Sequence, residues 1–408
     1  MSIFQSANIL LPNVAQMDKW AVIACDQFSA QPEYWQRVRQ QAAGIPSAVN
    51  LILPECDLEG DWSGKVASIN ETMLSYVQQG IFTQHNDAFI YVERTLLNGK
   101  IRRGVVGAVD LEQYDYMPGT EAGVRATEKT VLERIPPRQR IRENATLELP
   151  HVLMLCDDPE QMLLGSVDTA ALPVVYDFDL MEGGGHITGR LMEGAAAEKF
   201  RLAISAYEAN CETKFAPNKP VYYAVGDGNH SLATAKSCYE AMKAAAPGED
   251  LSAHPARFAL VELENIHDES QEFEPIHRVI FNTDPEAMLQ ALEKAVGDPN
   301  GYPLTWHSGQ RSGAVNIKLA PGQLCIGVLQ TFLDDYLSKN PGQIDYIHGA
   351  ADTKSLAAKE DAIGFLLPAM EKSGLFPGII ADGVLPRKTF SMGHAQEKRY
   401  YLEAKVIR

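Results

Sequence analysis

The chain has 408 residues, 45% of them hydrophobic and 22% charged, which is the make-up of a globular protein long enough for two domains or for one large α/β body with an appendage. A formal net charge of -17 argues against a general nucleic-acid or anionic-membrane surface, since phosphate backbones require concentrated Lys and Arg, but it leaves room for a local basic pocket around one small anion. The six cysteines (Cys25, Cys56, Cys156, Cys211, Cys238 and Cys325) show no Cys-x-x-Cys spacing, and they read as reduced thiols rather than a disulfide framework or a zinc site.

The N-terminus MSIFQSANILLPN lacks both a basic region and a long apolar core, and no apolar run reaches the length of a membrane span, so a cytoplasmic protein without membrane contact is expected. Residues 32–41 read as a helix with Pro32 in its first turn, 49–53 as a strand, and 64–80 as a helix stopped by Gly80. Two strand-like runs, 88–94 and 101–109, flank Asn98-Gly99, a strong hairpin signal. A polar stretch over 110–150 holds much of the positive charge. Core strands are expected at 151–156 and 174–180, then a turn at Gly183-Gly184-Gly185, a strand at 187–191 and a helix at 195–209. The run 221–225 reads as a strand, followed by a helix over 231–246 and a further strand at 258–263. A helix over 284–296, strands within 300–330, two more helices and a closing strand at 400–406 complete the pattern. Strands and helices mix without strict alternation, which predicts an α+β or mixed α/β fold. A division into a core at 1–285 and a C-terminal portion at 286–408 is expected.

The most informative stretch is Val221–Lys236, VYYAVGDGNHSLATAK. It places Asp227, Gly228, Asn229, His230 and Ser231 where a strand turns into a helix. The first N–H groups of a helix have no intrahelical partner and carry the positive end of its dipole, so this turn suits an anion. His230 adds a proton donor or acceptor. The plainer reading is a common Asp-Gly turn with Asn229 or Ser231 as a helix cap. Three other segments collect groups suited to phosphate. In RATEKTVLERIPPRQRIREN, Arg125, Lys129, Arg138 and Arg142 offer cations, and Glu128 and Glu143 offer carboxylates to orient them or bind a metal. A solvated, salt-bridged run is the alternative, although Pro136-Pro137 breaks a simple continuous helix. In FEPIHRVI, His277 and Arg278 read equally as a proton donor with an anion clamp or as a structural pair. In LPRKTFS, Arg387 and Lys388 read as surface charge or as a pocket wall. Asp26 follows an apolar run at a predicted strand end, and Asp177 and Asp179 alternate as a metal pair would. His348 reads as structural. No Walker A loop, G-x-G-x-x-G, G-x-S-x-G or H-E-x-x-H motif occurs.

The block order across most of the chain resembles domain-of-unknown-function family ten-fifteen. The carriers are VIACDQFS near the N-terminus, RATEKT, GDGNHSLATA, FEPIHRVI and PRKTFSMG. The turn also resembles that of the wider ParB/sulfiredoxin-like superfamily, which includes CTP-binding partition proteins, ATP-using sulfiredoxins and kinases of free serine. The resemblance implies a ParB/sulfiredoxin-like core with additional elements, a phosphate-binding turn at 227–231 and a phosphotransfer or nucleotide-handling role. Against the signature Asp-Gly-His-His-Arg, Asn229 replaces the first His and Ser231 replaces the Arg. Another cation, such as Arg125 or Arg278, must then supply the lost charge. Asn229 also stands at the reactive-cysteine position of sulfiredoxins, which disfavours that chemistry, and the acidic charge disfavours partition-type DNA binding.

The expected activity is therefore a small-molecule phosphotransferase, a kinase of free serine or a similar hydroxyl metabolite. Mg²⁺ and ATP, ADP or pyrophosphate are the expected cofactor and donors. The helix start at Gly228 with His230 would hold phosphates, and Arg125, Arg142 or Arg278 would neutralise charge. Asp227, Asp26 or Glu128 would accept the hydroxyl proton. The alternative is a non-catalytic sensor of a nucleotide or phosphometabolite. The acceptor, the donor and the oligomeric state are not legible in the sequence.

Overall fold

The computed structural model describes residues 2–58, 61–130, 135–386 and 388–408, and its fold is mixed α/β. The chain forms two compact units. One comprises Met1–Ala126, Thr130–Gln271 and His394–Arg408, and the other Thr127–Lys129 and Glu272–Gly393.

The first unit is built on a mixed sheet. Its strands run in the order Val174–Asp179, His186–Met192, Phe82–Thr95, Ile101–Asp110, Phe258–Asn265, Leu153–Cys156, Tyr223–Asp227, Val124–Ala126 and Tyr114–Asp115. Phe82–Thr95 and Ile101–Asp110 form the hairpin expected from Asn98-Gly99, with Thr95 opposite Ile101 and Gly99 at a left-handed φ of 81°. Phe258–Asn265 pairs antiparallel with Ile101–Asp110 but parallel with Leu153–Cys156, so long crossovers must join them. Helix Gly194–Lys214 buries Ala197, Phe200, Ile204, Tyr207 and Cys211, and Phe200 meets Phe89 edge-on at 5.1 Å. This apolar stripe is what holds the helix against the sheet.

Two short antiparallel pairs tie the chain's end to its beginning and middle. Tyr400–Tyr401 pairs with Val22–Ile23, and Lys405–Val406 pairs with Leu147–Glu148. The expected strand at 49–53 is instead a 3-10 turn over Ala48–Leu51. Ser47 accounts for the difference: its hydroxyl accepts the Val49 N–H and donates to the Lys19 carbonyl, a local alternative to ladder bonding.

The second unit carries an antiparallel sheet in the order Arg311–Ile317, Gly297–Ser308, Ile363–Leu366, Phe273–Phe281 and Gln343–His348. Helices Pro285–Val296 and Cys325–Leu337 contribute to its core, where Leu292, Leu329, Leu333 and Ile363 are fully buried. Among the described residues no helix is long and apolar enough to cross a membrane, and all six cysteines are free.

Candidate functional site

The site is built where strand Tyr223–Asp227 hands over to helix Asn229–Ala245. Gly228, between them, has φ 78°, a left-handed conformation that costs an L side chain roughly 1–2 kcal/mol. A Cβ at Gly228 would stand 3.1 Å from Val152 Cα and 3.4 Å from His151 Cδ2. The conformation therefore favours glycine, and the tight approach to Val152 adds to that preference. The approach follows from sheet register: Asp227 lies opposite Leu153, so the residues just before that strand, His151 and Val152, reach the turn.

The remaining wall comes from the C-terminal segment. Arg94, 2% exposed, donates to the carbonyls of Gln396, Glu397 and Lys398, and Arg102 donates to that of Glu397. The Ala24 N–H donates to the Arg399 carbonyl, which continues the pairing of the two chain ends. This cradle brings Lys398 Nζ to 3.3 Å from Asp227 Oδ2. Beneath it, buried Arg399 bridges Glu262 at 2.8 Å and Glu403 at 2.6 Å.

His151 is the hub. Its Nε2 lies 2.9 Å from Ser231 Oγ and its Nδ1 2.7 Å from Tyr401 Oη, with the two rings edge-on. Burial drives the imidazole below its ordinary value of 6.5; Asp26 and Asp227 oppose the shift, while Arg138 and Arg399 add to it. The ring is thus neutral at neutral pH. Burial pushes the Asp26 carboxyl up, but His151, a hydrogen bond from Gln27, Lys398 and Arg138 together outweigh it and hold Asp26 below the usual carboxylate value. A cavity of about 160 Å³ adjoins these groups, lined by Cys25, Arg138, His151, Ser231, Ala235 and Tyr401 together with mainly apolar side chains.

Of the residues singled out from sequence, Asp26, Asp227, Gly228, Asn229, His230, Ser231, Arg125 and Arg142 lie in the first unit. Asn229 is buried, and its amide donates to the Val225 carbonyl at 3.4 Å. His230 is half-buried in the first helical turn. Arg125 is buried and directed at the carbonyls of Ala122 and Lys219, and burial lowers its pKa. Arg142 lines the cavity and pairs with Glu148, which also meets Lys405 at 3.3 Å. Glu128, His277, Arg278 and Lys388 belong to the second unit, and Arg387 lies outside the described residues. There Arg278 is fully buried and donates to Gln330 Oε1 and the Lys388 carbonyl, and His277 Nδ1 accepts the Leu367 N–H. Asp177 and Asp179 both bind His186 at 2.7 Å. No group of three or more His, Cys, Asp or Glu among the described residues has the arrangement of a metal site.

Sequence reasoning did not single out His151, Lys398 or Tyr401. His151 is an isolated histidine after Pro150 at the start of an apolar run, and Lys398-Arg399 is a basic pair near the chain end. Neither forms a motif. The available signal was position at the edge of a predicted strand, which many unrelated residues share.

A model of the family described as "Protein of unknown function (DUF1015)" matches residues 10–405. No curated protein matches significantly. Among solved structures, a free serine kinase in complex with AMP is 11% identical, with a TM-score of 0.38 over 71% of this chain and 92% of that one. A conserved hypothetical protein from Pyrococcus furiosus is 11% identical, with a TM-score of 0.36 over 74% of this chain and 94% of that one. SbnI with a C-terminal truncation, from Staphylococcus aureus, is 10% identical, with a TM-score of 0.35 over 71% and 82%.

Proposed function

We propose that this chain, which belongs to the DUF1015 family, is a small-molecule phosphotransferase with its site at the Asp227–Ser231 turn, in a core of the ParB/sulfiredoxin-like kind. The observation that carries the reading is the gathering of Lys398, Arg138, His151 and Asp26 around the start of helix Asn229–Ala245. Phosphoryl transfer is chiefly positioning and charge neutralisation, and these are the groups it needs.

In this reading the helix start and His230 receive the donor's terminal phosphate, and Lys398 and Arg138 balance its charge. Asp26, held ionised, accepts the proton of the acceptor hydroxyl. Hard cations of the Mg²⁺ type are held by one or two carboxylates plus substrate phosphates, and Asp227 with the donor's phosphates fits that donor set. Mg²⁺ bound there would supply further neutralisation of the phosphate oxygens. The acceptor class is a hydroxyl metabolite, with free serine the first to try. The donor is ATP, ADP or pyrophosphate.

The test is phosphorus NMR of the protein with Mg²⁺, serine and each donor in turn. A phosphoserine signal is expected with one donor. Asp227→Asn should abolish that turnover while leaving much of the donor affinity, read by calorimetry. Donor-induced thermal stabilisation without turnover for any acceptor would favour the sensor reading instead. Absence of both stabilisation and turnover would remove the site assignment.

A further inference from the structure

The contact between Ser231 and His151 is unused in that scheme, and it has the form of an activated nucleophile. A hydroxyl becomes reactive when a neutral base lies within hydrogen-bond reach and a third group fixes the base's orientation. Ser231 Oγ is 2.9 Å from His151 Nε2, and Tyr401 Oη is 2.7 Å from Nδ1 on the opposite side of the ring. The Cys25 N–H also donates to Tyr401 Oη, at 3.3 Å, so the phenol is fixed from two sides. In the tautomer that carries its proton on Nδ1 and directs it at the tyrosine oxygen, the Nε2 lone pair faces the serine hydroxyl. Asp26 and Asp227 lie near enough to favour a positive charge on the ring once a proton arrives. Ser231 sits in the first turn of its helix, is half-buried and lines the cavity together with His151, Arg138 and Tyr401.

We propose that Ser231 is transiently phosphorylated, so that transfer runs through a covalent phosphoserine. This deepens the phosphotransferase reading and rests on it for the identity of the donor. In the first step Ser231 Oγ forms a bond to the donor's terminal phosphorus. The bridging P–O bond breaks, and its electron pair leaves with the shortened nucleotide or phosphate. The Oγ proton passes to His151 Nε2. In the second step the acceptor oxygen attacks the same phosphorus and gives its proton to Asp26, which releases it to solvent. The Oγ–P bond breaks and His151 returns its proton to Ser231. Tyr401 is a positioning residue in both steps.

A fluorophosphonate probe tests the nucleophile without assuming any donor, since attack forms an Oγ–P bond and expels fluoride. Peptide mapping of the labelled wild-type protein should place the adduct on Ser231. His151→Gln should slow labelling by about 10²-fold or more, the usual contribution of a general base. Tyr401→Phe should shift the pH profile of labelling, which a merely structural tyrosine would not do. With terminally labelled ATP, ADP or pyrophosphate and no acceptor, radioactivity should appear on Ser231 and chase off when acceptor is added. Failure of the wild type to label at Ser231 with the probe would overturn the proposal. So would transfer that persists in a folded Ser231→Ala variant, and in that case the phosphotransferase reading would stand. Probe labelling at Ser231 with no phosphoryl transfer from any donor would keep the nucleophile and remove the phosphotransferase reading.

Discussion

His151 shows how a single residue acquires its properties from its surroundings. A buried imidazole with its charge penalised stays neutral in the folded state at a pH where the unfolded chain has taken up a proton. Below the ordinary value of 6.5 the unfolded state therefore binds the extra proton. This group's contribution to stability is complete above that value and is lost on acidification towards the lower folded pKa. The melting temperature of wild type relative to His151→Gln should consequently be constant from mildly alkaline to neutral buffer and decline in acid. A difference independent of pH would show that His151 is not held neutral. Asp26 is a complementary case. It was legible as a carboxylate at a strand end, but it is held below the usual carboxylate value first by His151, then by a hydrogen bond from Gln27, and then by Lys398 and Arg138, and of these only Gln27 is near in sequence.

At the scale of elements, the strand–turn–helix at 223–245 was the most legible part of the chain. A β-branched and aromatic run, an Asp-Gly turn and a helix-forming stretch agree with one another locally. The turn tolerates little change. Gly228→Ala must adopt a left-handed φ and press on Val152, so a loss of at least about 1–2 kcal/mol is expected, read as a lower denaturation midpoint. Val152 adjoins His151 in the chain, so a shift of Val152 should also lower Ser231 labelling. An alanine variant as stable and as reactive as wild type would show that the turn does not need glycine. The misread segment at 49–53 makes the opposite point. Its apolar run is real, but Ser47 offers the backbone a local hydrogen-bonding alternative that periodicity does not reveal.

At the scale of the whole molecule, the last residues close the first unit. Trp20 donates its indole N–H to the Leu402 carbonyl, and Leu10 and Ala404 exchange backbone hydrogen bonds at 2.8 and 2.9 Å. Removing residues 394–408 would leave Glu262 without Arg399 and would strip Arg94 of its carbonyl acceptors on that segment. Breaking a buried ion pair costs about 3–5 kcal/mol even before the lost pairing is counted. A chain ending at Gly393 should therefore lose the cooperative melting transition of its first unit, followed by circular dichroism and calorimetry. A truncated chain that melted like wild type would show that the C-terminal segment is an accessory.

The sequence by itself determined the acidic surface, the hairpin at Asn98-Gly99, the helix after Gly228 and the mixed α/β character. Each is set by composition or by neighbours a few residues apart, which is the range over which dihedral preference and hydrophobic period act. Tertiary structure alone decided that residues 26, 138 and 227 come near His151 and that Lys398 pairs with Asp227, and that the chain's end returns to the first unit. The reason is physical. Convergence is fixed by strand register and by buried arginines binding distant carbonyls, and neither leaves a periodic trace along the chain.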